Sequence, residues 1–176
     1  MFTDPVKNLK AFHLREDNIV ADLGAGTGYY TLAAGEIVPR GKVYAVEITK
    51  DFLVTIKNKI QEANLSNIEI LWGNVEKIGG TKIGDSVVDA VIASNILFQV
   101  EDKNNFIEEI KRILKPNGRV LVIDWLVESE GDTTLIKLKG ALPKNTTYEI
   151  FNRKGFVLER DIDAGLHHYG IILTKS

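Results

Sequence analysis

The sequence predicts an α/β fold: a three-layer sandwich in which one mostly parallel sheet lies between two layers of helices. Three observations carry that prediction. Strand-length runs at 19–23 (IVADL), 42–48 (KVYAVEI), 87–94 (VVDAVIAS) and 119–125 (RVLVIDW) are apolar almost throughout, as strands covered on both faces must be. Segments with apolar residues at helical spacing separate them, so strands and helices alternate. Near the end only Asp163, Ala164, Gly165 and Leu166 lie between two strand-like runs. That is too short for a crossover, so the last two strands must be antiparallel.

Taken in order, residues 5–14 read as a short helix with Val6, Leu9, Lys10 and His13 at helical spacing, a cover for a sheet edge or for a ligand. The first strand, 19–23, runs into three alternate glycines, Gly24, Gly26 and Gly28, and a helix is expected over 27–38, ended by Pro39, Arg40 and Gly41. The second strand closes on Glu47. Thr49 stands as an N-cap for a helix to about Asn64, with Phe52, Leu53, Ile56, Ile60 and Ala63 on its apolar face. A third strand follows at 67–72, then a loop over 76–86, then the fourth strand at 87–94. Asp102 caps a helix that turns Phe106, Ile107, Ile110, Ile113 and Leu114 inward and stops at 115–118 (KPNG), before the fifth strand. Thr146 and Glu149 form a capping box for a last helix ending at Gly155. Strands at 156–162 and about 168–174 complete the chain. The connection over 126–145 has apolar residues at near-helical spacing (Leu135, Ile136, Leu138, Leu142) and is expected as a lid or binding segment.

A chain of 176 residues, 44% apolar, suits one core, so 1–176 is expected as a single domain with a helical cover over 1–17. A net charge of −2 gives no electrostatic footprint for nucleic acid. No apolar run is long enough to span a membrane. The first ten residues lack a basic n-region and an apolar h-region, and a cytoplasmic protein is expected. With no cysteine, disulfides, thiolate metal sites and cysteine nucleophiles are excluded, and His13, His167 and His168 have no metal-ligand spacing.

The stretch at 18–30 (NIVADLGAGTGYY) carries the chemistry. A buried strand that stops in a glycine turn and feeds a helix offers backbone N–H groups to a ligand. Gly24, Gly26 and Gly28 lack the G-x-G-x-x-G offset of dinucleotide binding, because Tyr29 stands where the third glycine belongs. Asp22 would also oppose a pyrophosphate at the turn. A carboxylate there suits a ligand with a cationic amino group and a sulfonium.

Asp22-x-Gly24-x-Gly26-x-Gly28 resembles the first motif of the class I S-adenosylmethionine-dependent methyltransferases. The resemblance covers about Pro5 to Lys175, and its nearest look is the small-molecule branch of the ubiquinone/menaquinone C-methyltransferases. It implies a Rossmann-like seven-stranded sheet of order 3-2-1-4-5-7-6. It further implies that Asp22, Gly24, Ala25, Gly26, Gly28 and Tyr30 surround S-adenosyl-L-methionine at the turn. Glu47 matches the second-strand acid that accepts from both ribose hydroxyls. Asn74 falls where the family commonly has the Asp that accepts from the adenine amino group, and an amide makes that contact without charge. Ile48 and Val75 are apolar faces for the adenine ring or plain core. Residues 94–100 (SNILFQV) resemble the segment after the fourth strand, which makes Asn95 a candidate for orienting substrate or cofactor and Leu97 and Phe98 walls of the site or core beneath the next helix. The missing cysteines argue against arsenite and 5-methylcytosine RNA enzymes of this class.

A sulfonium methyl is already activated, so positioning and water exclusion supply much of the catalysis, and a general base is needed only for a protonated acceptor. Candidates at the mouth are Tyr29, Tyr30, Asn95, Asp124, Trp125, His167 and His168. Neighbouring strand residues point to opposite sides, so only one histidine can face the site. The expected partner is a small-molecule acceptor, with neither nucleic acid nor membrane; oligomeric state stays open. Two rivals remain: a nicotinamide-dependent oxidoreductase, and a non-catalytic S-adenosylmethionine-binding regulator or partner subunit.

Overall fold

A computed structural model describes residues 3–127 and 140–176. The elements are α1 (Pro5–Phe12), β1 (Ile19–Leu23), α2 (Tyr29–Ile37), β2 (Lys42–Glu47), α3 (Lys50–Glu62), β3 (Ile68–Trp72), β4 (Val88–Ser94), α4 (Lys103–Ile113), β5 (Leu114–Trp125), α5 (Lys144–Asn152), β6 (Phe156–Ile162) and β7 (His168–Lys175). The seven strands form one sheet of order β3-β2-β1-β4-β5-β7-β6. The first five are parallel, while β7 is antiparallel to both β5 and β6. Fold class, strand order and terminal hairpin are therefore as the sequence implies.

The apolar strands bury what their composition promises. Val20, Ala21 and Leu23 on β1, Ile92 on β4 and Leu121, Val122 and Ile123 on β5 lose essentially all their accessible surface. Helix α4 packs Phe106, Ile107, Ile110 and Ile113 against one face of the sheet, and Asp102 caps it by accepting from Asn105 N at 2.9 Å. The end of α4 and the start of β5 are continuous: β5 pairs Leu114 with Val88, then jumps to Arg119 opposite Ala90, with Asn117 in between at φ +60°. Among the described residues no helix is long and apolar enough to cross a membrane.

Local expectations differ from the structure in three places. Helix α1 buries Asn8, Leu9 and Phe12, whereas Val6 is 44% exposed. The reason is polar: Asn8 Nδ2 donates to the buried Tyr30 hydroxyl at 2.8 Å, which rotates that face inward. Helix α5 starts at Lys144, after Pro143, with no side-chain cap, so Thr146 and Glu149 form no capping box. There Thr147 turns inward to the Tyr169 hydroxyl at 2.7 Å. On α3 only Ile56 is fully buried, and Phe52 faces a cavity described below. The lid expected over 126–145 falls largely on 128–139, which lie outside the described residues.

One buried charge ties the 76–86 loop to α4. Glu109 is fully buried and accepts from Gly79 N (2.8 Å), Thr81 Oγ1 (2.6 Å) and Arg112 Nε and Nη2 (2.8 Å each). Burial alone would raise its pKa, but these hydrogen bonds, Arg112's first, hold it down at about 2. A depressed carboxylate contributes stability above its unfolded pKa and loses it as pH falls toward the folded value. Glu109→Gln is expected to lower the unfolding free energy by about 2–3 kcal/mol near neutral pH. In urea melts the gap between variant and parent should narrow as pH falls from about 5 toward 2; equal midpoints throughout would refute the clamp.

Candidate functional site

At the carboxyl ends of β1, β2 and β4 two cavities adjoin, the place where open α/β sheets bind ligands. The larger is about 830 Å³ and the smaller about 260 Å³, and Gly24, Gly26 and Gln99 border both.

The glycine turn makes the shared wall. Gly24 N and Ala25 N both donate to Val46 O (2.9 and 3.1 Å), folding the end of β1 over β2. Gly24 has φ +71°, and a Cβ there would collide with Ile96 Cδ1. Gly26 has φ +54°, yet a Cβ on it would meet nothing nearer than Gly24 O at 4.0 Å. The missing side chain of Gly26 thus leaves open a cradle between the two cavities.

Glu47 fixes the turn from the other side. One carboxylate oxygen accepts from Gly26 N at 2.8 Å, and the other from Ile48 N and Thr49 N at 2.8 Å each. Only 6% exposed, this side chain is held by three N–H donors, which leaves one of its four lone-pair sites, on the oxygen facing Gly26, for a ligand. Beside it, Ile48, Phe52, Asn74 and Val75 line the smaller cavity. Trp72 Nε1 donates to Ile48 O at 2.9 Å and steadies that rim. Asn74 Oδ1 accepts from Glu76 N at 2.9 Å, so one of its lone pairs is already used.

Asp22, Ala25, Tyr30, Ser94 and Asn95 line the larger cavity, with Trp125 and with Thr3, Asp4 and Pro5 at the entry to α1. Asp22 is 2% exposed and accepts from Thr31 Oγ1 at 2.6 Å. Burial pushes its pKa up from 3.8 to about 6, with the nearby Glu47 charge adding to the rise. Asn95 sits at the end of β4 with φ +53°, a conformation Asn tolerates better than most residues, and its Oδ1 is buried with no hydrogen-bond partner. Asp124, also 2% exposed, does not line either cavity. It accepts from Trp125 N (2.7 Å) and Phe98 N (3.2 Å), anchoring the 95–99 turn, and burial raises its pKa to about 6.

Of the residues singled out from sequence, the cavities gather Asp22, Gly24, Ala25, Gly26, Tyr30, Glu47, Ile48, Asn74, Val75 and Asn95. Gly28 lines neither; a Cβ there would press on Ile56 Cγ1 at 3.1 Å, so its small size serves the packing of α2 against α3. The histidines also stand off. His167 is exposed, and His168 lies behind Trp125, ring centroids 4.4 Å apart. Its imidazole is 5% exposed, neither ring nitrogen has a partner, and desolvation lowers its pKa, the His167 charge adding to it. Phe52 and Gln99 were not foreseen. Gln99 Nε2 donates to Asn95 O at 2.9 Å, and its place in the 94–100 segment was the only clue.

Comparison with known proteins bears on this geometry. A family model described as a methyltransferase domain matches residues 14–155. Demethylmenaquinone methyltransferase of Geobacillus sp. (strain WCH70) is 28% identical over 117 residues, which are 66% of this chain and 49% of that protein. Arsenite methyltransferase of Halobacterium salinarum is 30% identical over 119 residues, 66% of this chain and 30% of that protein. This chain thus spans half or less of the length of those relatives. The crystal structure of a SAM dependent methyltransferase from Aquifex aeolicus superposes with a TM-score of 0.87 at 26% identity, covering 99% of this chain and 91% of that one.

Proposed function

This chain belongs to the methyltransferase domain family, and on that premise we propose that it transfers the methyl group of S-adenosylmethionine to a small-molecule acceptor by in-line displacement. Family and fold imply use of that cofactor, and the residues present fit it. The observation that carries the reading is the buried Asp22 beside the open cradle at Gly26, a site that welcomes an ammonium and opposes a phosphate. The cofactor supplies a methyl activated by its sulfonium, so the acceptor's lone pair forms the new bond as the carbon–sulfur bond breaks.

The chain's own residues bind, orient and exclude water. Asp22 attracts the amino group, Glu47 accepts from the ribose diol, and Ile48, Val75 and Phe52 enclose the base, with Asn74 at its edge. Asn95 lines the larger cavity with its Oδ1 buried and unpartnered, and the Asn8–Tyr30 hydrogen bond ties α1 to α2 beside it. No proton-transfer role is assigned to His167 or His168. Lacking cysteine, the chain has no thiol with which to hold arsenic.

The test supplies label-carrying S-adenosylmethionine with a panel of quinol, phenol, amine and carboxylate acceptors. Label in an acceptor, with an equal amount of S-adenosylhomocysteine, is expected; cofactor binding without transfer to any acceptor would favour a regulatory domain. His168→Phe keeps a ring on Trp125 and removes two unpartnered nitrogens. It is expected to raise unfolding free energy by about 1 kcal/mol and leave kcat within about twofold; a loss of about a hundredfold would assign His168 a proton-transfer role.

A further inference from the structure

The larger cavity has a sign. Among the described residues that line it, Asp4 and Asp22 are the only ionisable side chains apart from tyrosines, and no Lys, Arg or His reaches its wall. Cations nearby are committed elsewhere: Lys59 stands over the Tyr29 ring at 4.3 Å and donates to Thr27 O, and Lys7 pairs with Asp163 at 2.7 Å. Behind Trp125, the desolvated His168 favours its neutral form. Asn95 Oδ1 is a buried acceptor with no donor, while the Tyr30 hydroxyl accepts from Asn8 and keeps its own O–H to donate.

Three aromatic residues, Tyr29, Phe98 and Trp125, share this wall with the polar Thr3, Ser94 and Gln99. Ring faces attract cations and stack on flat ligands. An anion entering beside the bound cofactor would give up hydration, face the Asp4 carboxylate and find no counter-charge among the described residues that line the cavity. An amine would find the reverse, with the Asp4 carboxylate and the unsatisfied Asn95 oxygen to accept its N–H groups.

We propose, resting on the methyl-transfer reading above, that the acceptor is a small aromatic compound bearing an amine, held by its N–H groups toward Asn95 and Asp4 and by its ring against Tyr29, Phe98 and Trp125, and that analogues carrying a carboxylate are refused.

Calorimetry on protein saturated with S-adenosylhomocysteine tests this with three phenols of similar size: tyramine, p-cresol and 4-hydroxyphenylacetate. Tyramine is expected to bind at least about tenfold tighter than the acid, with p-cresol between them. An equal or reversed ranking, including equal silence from all three, overturns the proposal. Asp4→Asn removes the rim charge and keeps an equally good cap for α1; it should cut tyramine's advantage about threefold, and an undiminished advantage also counts against the proposal. The two readings fail separately. If S-adenosylhomocysteine itself does not bind, the methyl-transfer reading is at fault; if it binds and the amine gains nothing over the acid, only the present inference falls.

Discussion

Gly26→Ala is expected to fold and to lose its cofactor. An L-residue at φ +54° costs about 1–2 kcal/mol, and the added methyl meets no protein atom closer than 4.0 Å, so the fold should survive with a modestly lower melting temperature. That same methyl would occupy the cradle shared by both cavities, where the ligand backbone has to pass. S-adenosylhomocysteine affinity should fall by at least about a hundredfold, since overlap by a methyl cannot be relieved without moving the turn that Glu47 and Val46 O hold. Gly24→Ala is the contrasting case: its methyl would displace the Ile96 side chain, which borders the smaller cavity, so stability and affinity should fall together. Retained affinity in a folded Gly26→Ala protein, read by calorimetry beside a thermal melt, would remove the turn from the binding site.

Asp22→Asn should separate stability from binding in opposite directions. Burial raises the Asp22 pKa from 3.8 to about 6, so the folded state holds its proton more tightly than the unfolded chain does. Between those values stability falls as pH rises, and above them the ionised carboxylate is a standing destabilisation. Asparagine keeps the oxygen that accepts from Thr31 and carries no charge. At about pH 8 the variant is expected to be more stable by about 1–3 kcal/mol, the lower part of the range applying if the new amide N–H groups find no partner. S-adenosylhomocysteine should nevertheless bind at least about tenfold more weakly, because the ammonium loses its buried counter-charge. In the parent protein affinity should decline as pH drops below about 6, where Asp22 gains its proton, and that decline should be absent in Asp22→Asn. Asp124 titrates in the same range and anchors the 95–99 turn, so the variant is needed to tell the two apart.

Much of this was legible because one physical signal dominates it. Strands buried on both faces must be apolar throughout, and four such runs set the sheet; a four-residue connection could only be a hairpin. The acid–glycine turn was equally plain, since few ligands tolerate a carboxylate there. Illegible features depend on partners distant in sequence. Nothing near Asn8 announces that Tyr30 will draw it inward, and nothing near Glu109 announces Thr81. Thr146 and Glu149 had the spacing of a cap, but α5 already begins at Lys144 after Pro143, and Thr147 is bonded inward to Tyr169. Phe52 fits an apolar helical stripe as well as any core residue, and only the fold reveals that its surroundings are a cavity. Glu47 was expected to meet a ribose; that it also knots three backbone N–H groups follows from strand register rather than composition.

Calorimetric titration of the full chain with S-adenosylhomocysteine and, separately, with NADH puts the central claim most directly at risk. A saturable heat from the adenosyl thioether and none from the pyrophosphate is what a glycine turn guarded by Asp22 predicts. Tight NADH binding with no response to S-adenosylhomocysteine would contradict it.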